Sequence, residues 1–310
     1  MEYRELGKTG MKVSALSFGA SSLGGVFHSL KEDDGIAAVH AAVDHGINFI
    51  DVSPYYGHYK AEIVLGKALK DIERPRYYLS TKVGRYGVNG VNTWDYTARR
   101  VVESVYESME RLHIDYIDII NVHDIEFADL EMVCKETLPA LTELRDKGIV
   151  KHVGITNLTL RHFKYVIDHV PSGTVESVLS FCHYCLNDDA LTDYLDYFEA
   201  LGIGVINASP FSMGLLTERG APSWHPAPAP LQDLCRKAAI YCRSKGESIE
   251  QLALKYSVYN PRIATTLFST TRSDAVLQNI RWANGPLDEE LLSEVRVILE
   301  PRFRDTWLNS

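Results

Sequence analysis

Residues 47–57 carry the sequence INFIDVSPYYG, and the interpretation of the whole chain starts from this stretch. It begins as a short apolar run, which is typical of a buried strand. The run ends at Asp51, and a Pro-Tyr-Tyr-Gly turn brings Tyr56 five residues further on. A tyrosine beside a buried acid can transfer a proton, provided that a nearby cation lowers its pKa. The stretch therefore predicts a strand whose carboxyl end carries residues that could take part in proton transfer.

Two further strand-like runs end in residues that suit such a site. YLSTK ends at Lys82, 31 residues after Asp51, and IDIINVHD contains His123, 41 residues after Lys82. Taken alone, each residue has a more ordinary interpretation, such as a capping aspartate, a packing tyrosine, a solvated lysine or a hydrogen-bonded histidine. Taken together, they predict that Lys82, held by Asp51, lowers the pKa of Tyr56 from its free value of about 10. His123 would then orient the substrate oxygen.

Strand and helix patterns alternate along the chain. Apolar runs predict eight strands, near residues 15–19, 47–51, 77–82, 116–122, 150–155, 176–181, 203–207 and 263–267. Helical patterns follow most of them, near residues 33–45, 60–70, 96–112, 130–147, 159–169, 188–200 and 273–283. Eight such units without a Gly-x-Gly-x-x-Gly fingerprint predict an α/β fold, a (β/α)8 TIM barrel, preceded by a β-hairpin within residues 3–14. We expect a single domain over residues 1–310.

The functional residues of such a barrel collect at the carboxyl ends of its strands. Five polar residues lie at or just past predicted strand ends: Asp51, Lys82, His123, Asn157 and Ser209. This placement supports a shared site by an argument that is independent of any family resemblance.

Two long loops are candidate lids, because long loops in a compact domain are often functional. One spans residues 84–95 and the other residues 211–230. We favour the second as the lid, since it follows a strand end and carries Trp224 and His225. The alternative for either loop is a stiff surface excursion.

Composition and charge exclude several classes of function. The net charge of −9, without a basic block, makes nucleic acid and anionic membranes poor partners. The amino end lacks an apolar signal region and no apolar run reaches membrane-spanning length, so the cytoplasm is the expected location. Five scattered cysteines argue against a disulfide framework, and Cys182 and Cys185 have no second pair with which to form a zinc site. We expect no metal, and a monomer or weak homodimer.

The order and setting of Asp51, Tyr56, Lys82 and His123 resemble the catalytic tetrad of the aldo-keto reductases. The resemblance covers nearly the whole chain and implies redox chemistry supplied by a nicotinamide cofactor. GITN at residues 154–157 resembles the Gly-x-Ser-Asn motif of the family. The resemblance implies these cofactor contacts: Thr156, Asn157, Ser209, Ser269, Arg272, Gln278 and Asn279. A family glutamine falls near Phe181 and a stacking aromatic falls at Ala208, so other residues must serve there.

The late segment LFSTTRSDAVLQN, residues 267–279, resembles the loop that binds the adenosine phosphate. Family members that prefer NADPH hold its 2′-phosphate with a lysine and an arginine, where this chain has Ser269 and Ala275. Only Arg272 is basic, and Asp274 adds a negative charge. Because a 2′-phosphate needs cationic donors, the resemblance implies NAD as the cofactor.

Further stretches resemble the sugar dehydrogenases of the family: HDIEF at 123–127, CHY at 182–184, SPFSMGLLTE at 209–218 and WHPA at 224–227. They imply oxidation of an aldose at C1 to its lactone, with L-galactose as the first candidate substrate. A sugar site needs polar groups beside an aromatic wall. The candidate substrate contacts are Tyr55, Asp124, Glu126, Phe127, His183, Trp224 and His225.

Two alternatives stay open. One is an NADPH-dependent reductase of aldehydes or ketones with the same fold. The other is a cofactor-binding regulatory subunit that keeps the barrel as a sensor, because fold does not fix function.

Overall fold

Strands and helices alternate along most of the chain in the structure, a computed structural model that describes residues 1–25, 31–88, 90–305 and 307. The strands are β1 Tyr3–Glu5, β2 Lys12–Ser14, β3 Leu16–Gly19, β4 Phe49–Asp51, β5 Tyr78–Val83, β6 Arg85–Val88, β7 Val91–Trp94, β8 Ile117–Val122, β9 Val150–Asn157, β10 Ser177–Phe181, β11 Gly204–Ala208 and β12 Thr265–Phe268. The α-helices are α1 Glu32–Asp44, α2 Lys60–Leu69, α3 Ala98–Leu112, α4 Leu130–Met132, α5 Leu138–Asp146, α6 Leu160–Asp168, α7 Leu195–Leu201, α8 Ala229–Ser244, α9 Ile249–Tyr259, α10 Ser273–Ala283 and α11 Glu289–Leu299.

Eight of the strands close into a parallel barrel in the order β3-β4-β5-β8-β9-β10-β11-β12. Each falls on one of the eight predicted apolar runs, so the predicted (β/α)8 barrel is confirmed. All six residues of β8 are buried, as expected for a strand with the barrel interior on one face and helices on the other. A π-helical segment, Val133–Thr137, joins α4 to α5 and completes the helix predicted near 130–147.

The predicted N-terminal hairpin is also present. Strands β1 and β2 pair antiparallel, and the hairpin packs its fully buried Leu6 against interior barrel residues such as Phe49 and Ile206. Gly7 lies so close to the barrel that an added Cβ would stand 2.3 Å from the backbone nitrogen of Gly204. The hairpin therefore closes the amino-terminal end of the barrel and leaves the carboxyl end for a site.

Two regions differ from their prediction as loops. Residues 85–88 pair with residues 91–94 in a second antiparallel hairpin, β6–β7, apart from the barrel; Asn89 of this candidate lid lies outside the described residues. The proline-rich end of residues 211–230 starts helix α8, with Pro228 at the N-cap and Pro230 in the first turn, where a missing N–H costs nothing. Within the described residues, no helix has both the length and the apolar content needed to cross a membrane.

Candidate active site

The tetrad predicted from the sequence meets at the carboxyl end of three adjacent strands. In the register of the sheet, Asp51 of β4 pairs with Ser80 of β5, and Lys82 of β5 pairs with Asn121 of β8. Phe49 and Ile119 belong to the interior cluster, so alternation along β4 and β8 turns Asp51 and Asn121 inward as well.

A buried ion pair forms the base of the site. Lys82 Nζ contacts Asp51 Oδ1, with side-chain exposures of 1% and 4%, and it also donates to the carbonyl oxygen of Val52 at 2.8 Å. Ser80 Oγ donates to Asp51 Oδ2 at 2.8 Å and accepts from Asn121 Nδ2 at 2.8 Å. Burial lowers the pKa of Lys82, but Asp51 and Tyr56 more than offset this and leave that pKa above its ordinary value. Lys82 is therefore a fully charged donor inside the barrel.

Tyr56 lies directly over this ammonium, with the ring centroid 4.9 Å from Lys82 Nζ. Its position depends on a close contact between two glycines, since a Cβ on Gly57 would stand 2.1 Å from the carbonyl oxygen of Gly24. Burial raises the pKa of Tyr56, and the charge of Lys82 lowers it by less. Lys82 thus lowers the pKa of Tyr56 as expected, but burial outweighs the ammonium and leaves that pKa above its free value.

His123 stands beside Tyr56. Its Nδ1 lies 3.0 Å from Ser53 Oγ, and the rings of Tyr55 and Tyr56 meet it edge to face at centroid distances of 5.8 and 5.7 Å. Burial and the positive charges of Lys82 and Arg85 hold the pKa of His123 well below its usual range. The imidazole is therefore neutral. A neutral ring can donate a hydrogen bond to a substrate oxygen or accept one from it.

Arg85 is a member of the site that the sequence did not single out. It ion-pairs with Asp124 and lies between two rings, 3.9 Å from the centroid of Tyr55 and 4.5 Å from that of Phe127. Trp94 of the β6–β7 hairpin extends this aromatic surface, with its ring 5.7 Å from Phe127. A signal was available, because Arg85 stands two residues past the end of β5, where functional residues of a barrel collect.

Glu126 lies on the same side of the mouth of the barrel, the opening at the carboxyl ends of its strands. Burial, and next the charge of Asp124, raises the pKa of Glu126 to about 7. Its Oε2 is buried and has no hydrogen-bond partner among the described residues. Glu126 is thus a carboxyl group that changes charge near neutral pH, next to Asp124 and Arg85.

The other three predicted substrate contacts gather elsewhere, around Trp307. His183 Nδ1 bonds to Asp188 Oδ2 at 3.1 Å, and both residues line a narrow cleft with Trp307. Both ring nitrogens of His225 are engaged, one with the carbonyl oxygen of Ser212 at 2.9 Å and the other with the backbone N–H of Ala227 at 3.0 Å. The rings of Trp224 and Trp307 pack on His225 at 6.1 and 4.9 Å. His225 therefore stabilises its own loop.

The predicted nicotinamide contacts are hydrogen-bonded within the chain. Thr156 Oγ1 accepts from the backbone N–H of Asp124 and donates to its Oδ1, both at 2.9 Å. Asn157 Oδ1 accepts from the backbone N–H of Glu126 at 2.9 Å. These bonds position the segment that carries Asp124 and Glu126. Phe181 pairs with Ala208 at the ends of β10 and β11, at the carboxyl end of the barrel.

The predicted adenosine contacts lie where β12 leads into α10. Ser269 Oγ bonds to Ser22 Oγ at 2.8 Å, and Arg272 forms a two-point ion pair with Asp274, one bond of which, from Nε to Oδ1, measures 3.0 Å. Asn279 is buried, and Gln278 accepts from Arg281 at 2.7 Å. Ser209 takes up positive φ, at 62°, just after β11.

Arg272 is the N-cap residue of α10, and its side chain does not bond to the backbone of the first turn. Instead, the backbone N–H groups of Asp274 and Ala275 bond to the Asp274 carboxylate, so this turn suits anionic oxygens such as those of a phosphate, and the loop chemistry fits a dinucleotide. Within the described part of the chain, no cluster of three or more His, Cys, Asp or Glu side chains could hold a metal ion.

Comparisons with known proteins agree with this geometry. The model of the aldo/keto reductase family matches residues 15–300. L-galactose dehydrogenase of Arabidopsis thaliana is 47% identical over 313 residues, which cover 99% of this chain and 97% of that protein. D-arabinose 1-dehydrogenase of Saccharomyces cerevisiae is 34% identical over 70% of this chain and 66% of its own length. An aldo-keto reductase of Bacillus halodurans, solved in its holo form, shares the fold with a TM-score of 0.81, 24% identity and coverage of 99% and 97%.

Proposed function

The chain belongs to the aldo/keto reductase family, and from that premise we propose that it oxidises an aldose at C1 to the lactone, with NAD as the hydride acceptor. L-galactose is the first candidate substrate, because the Arabidopsis relative of that name is 47% identical over nearly the full length. The observation that carries the reaction class is the buried Lys82–Asp51 pair directly under Tyr56, with neutral His123 alongside.

The four side chains divide the work as follows in this proposal. Tyr56, as the phenolate, takes the proton from the C1 hydroxyl and becomes a neutral phenol, and the ammonium of Lys82 favours the phenolate that exists before this transfer. Asp51 keeps Lys82 charged and in place. His123 bonds to the same C1 oxygen and fixes its direction. NAD, when bound, supplies the hydride chemistry.

The preference for NAD rests on the pair Arg272–Asp274. The guanidinium that would face a 2′-phosphate is already engaged at two points by a carboxylate. A phosphate at this position would have to displace Asp274 and would meet its negative charge, whereas a ribose hydroxyl could donate to that carboxylate. The same feature weighs against the NADPH-dependent reductase.

The sugar itself should lie over the mouth formed after β8. The rings of Tyr55, Phe127 and Trp94 offer an apolar wall, and Glu126 offers a polar group. This combination of aromatic surface and few polar atoms is typical of small-molecule sites. His183 lines the separate cleft with Trp307 and is the candidate for the far end of the substrate.

We also propose a cytoplasmic enzyme that is a monomer or weak homodimer. All five cysteines are free in the structure, which suits a reducing compartment. Cell fractionation and analytical ultracentrifugation would test these two points.

The deciding experiment measures NADH formation from NAD with a panel of aldoses, for the wild type and Tyr56→Phe, with parallel reactions in NADP. We expect oxidation of L-galactose or a stereochemical relative, loss of activity in Tyr56→Phe and weak activity with NADP. No turnover of any aldose would overturn the proposal. Turnover of carbonyl compounds with NADPH would then support a reductase, and a stable complex with a second protein, without turnover, a regulatory subunit.

A further inference from the structure

The ring of His123 has two nitrogens, and the position of its proton decides what the ring offers to a substrate oxygen. Nδ1 lies 3.0 Å from the hydroxyl oxygen of Ser53. Ser53 has no exposed surface, so its hydroxyl proton cannot be shared with bulk water. The hydrogen bonds around Ser53 therefore determine where the His123 proton is.

Ser53 Oγ already accepts one hydrogen bond, from the backbone N–H of Tyr55 at 3.1 Å. A hydroxyl has one proton to donate and two lone pairs to accept with. Among the described residues, His123 Nδ1 is the acceptor in reach of that proton. If Nδ1 carried the ring proton, the Ser53 hydroxyl would become a buried donor without an acceptor, which folded proteins avoid.

The opposite side of the ring does not oppose this assignment. Asp124 Oδ2 lies 3.6 Å from Nε2, too far for a hydrogen bond, and the same oxygen is ion-paired with Arg85. The ring is neutral, since burial and the charges of Lys82 and Arg85 lower the pKa of His123. The neutral ring therefore carries one proton, and the Ser53 hydroxyl, by donating to Nδ1, leaves that proton on Nε2. The edges of Tyr55 and Tyr56 fix the ring plane.

We propose that Ser53 is a positioning residue, whose hydroxyl donates to His123 Nδ1 and thereby holds the ring proton on Nε2. His123 then donates a hydrogen bond to the C1 oxygen of the aldose, a use that rests on the proposed function, although the assignment of the proton does not. As the C1 hydroxyl loses its proton to Tyr56, negative charge develops on that oxygen. A donor aimed at it stabilises the charge, whereas a bare ring lone pair would repel it.

The assignment can be measured without turnover. Protein labelled with ¹⁵N in its histidine rings gives long-range ¹H–¹⁵N correlations that distinguish a protonated ring nitrogen from an unprotonated one. The signals of His123 are identified by their loss in His123→Asn. We expect a protonated Nε2 and an unprotonated Nδ1 in the wild type and in Ser53→Thr, and averaged signals in Ser53→Ala. A proton on Nδ1 in the wild type would overturn the inference, even if neither Ser53 variant folds.

Kinetics give the second readout. Ser53→Ala should lower kcat for aldose oxidation roughly five- to tenfold, the effect of one hydrogen bond, with KM for NAD unchanged. Ser53→Thr should recover most of the rate because it keeps the hydroxyl. The matched control is Ser177→Ala, a fully buried serine at the start of β10 whose hydroxyl has no partner among the described residues, and it should keep wild-type kcat.

Together, the ring signals and the kinetics distinguish a failure of the proposed function from a failure of the role assigned to Ser53. If no aldose is oxidised but the ring signals follow the expected pattern, the proposed function fails and the role of Ser53 in holding His123 stands. If aldoses are oxidised and Ser53→Ala keeps both the wild-type kcat and the wild-type ring signals, the role of Ser53 is refuted and the function stands.

Discussion

Replacing Asp51 with asparagine should destabilise the protein strongly, because it leaves a buried charge without its partner. The side chain of Lys82 is 1% exposed, and after the change its acceptors, among them the carbonyl oxygen of Val52, are all uncharged. Breaking a buried ion pair by removing one member costs about 3–5 kcal/mol. That is a large part of the roughly 5–15 kcal/mol by which folded proteins are stable.

Thermal unfolding followed by circular dichroism measures this cost. A chain of 310 residues has an unfolding entropy of about 0.65 kcal/mol/K, so the midpoint of Asp51→Asn should fall by about 5–8 °C. The matched control is Glu131→Gln, which removes the partner of Lys135 in a pair whose side chains are 64% and 69% exposed. That midpoint should not change measurably, because exposed pairs contribute little.

The double variant Asp51→Asn/Lys82→Met tests the reason for the loss. With both charges gone, nothing buried is left unpaired, so most of the lost stability should return. Turnover should stay at least about a hundredfold below the wild type in both variants, since neither has the charged pair beneath Tyr56. The role of the unpaired Lys82 charge is refuted if the double variant has as low a midpoint as the single variant, or if the midpoint of Asp51→Asn equals that of the wild type.

Four further outcomes follow from the charges of the site. Burial raises the pKa of Tyr56, so initial rates of aldose oxidation, which need the phenolate, should climb from pH 7 to 10; a flat profile would contradict this. The pKa of His123 is lowered, so its contribution to stability is present above about pH 6.5 and lost below it. The thermal midpoint should thus drop more between pH 6.5 and 5 in the wild type than in His123→Gln. Glu126 has a pKa of about 7, so KM for the sugar should fall from pH 6 to 8 as the carboxylate forms, and Glu126→Gln should remove that dependence. Asp274→Ala frees Arg272 and should tighten NADP binding by about fivefold in fluorescence titrations, whereas Arg272→Ala should not.

The barrel strands were predictable because each is buried on both faces and reads as an unbroken apolar run. The β6–β7 hairpin was not, since its sequence RYGVNGVNTW has few apolar residues and a lone two-stranded hairpin has little stability of its own. Contacts distant in sequence hold it, such as His58 to Asn92 at 3.2 Å and Trp94 against Phe127. A pattern within the hairpin cannot indicate such partners.

The candidate site was also predictable only in part. The strand ends predicted that Asp51, Tyr56, Lys82 and His123 lie together, because a barrel brings all the carboxyl ends of its strands to one face. Which polar atoms remain available is a matter of tertiary hydrogen bonding, and sequence carries no record of it. His225 resembles a sugar contact in its motif, yet both of its nitrogens are engaged by its own loop. Lys82 lowers the pKa of Tyr56 as the sequence indicated, but the larger effect of burial depends on how the finished barrel surrounds the ring.

The charges around His123 balance in a way that suits the proposed substrate. Lys82 pairs with Asp51 beneath it and Arg85 pairs with Asp124 beside it, so two cations and two carboxylates flank one neutral ring. An aldose is uncharged, so the groups of the site bind it through hydrogen bonds and not through net charge. Discrimination among sugars must then come from the direction of individual hydrogen bonds. A serine that fixes one proton of His123 is therefore the kind of residue on which such a site depends, whereas a cation added at the mouth would disturb the ring without binding the sugar better.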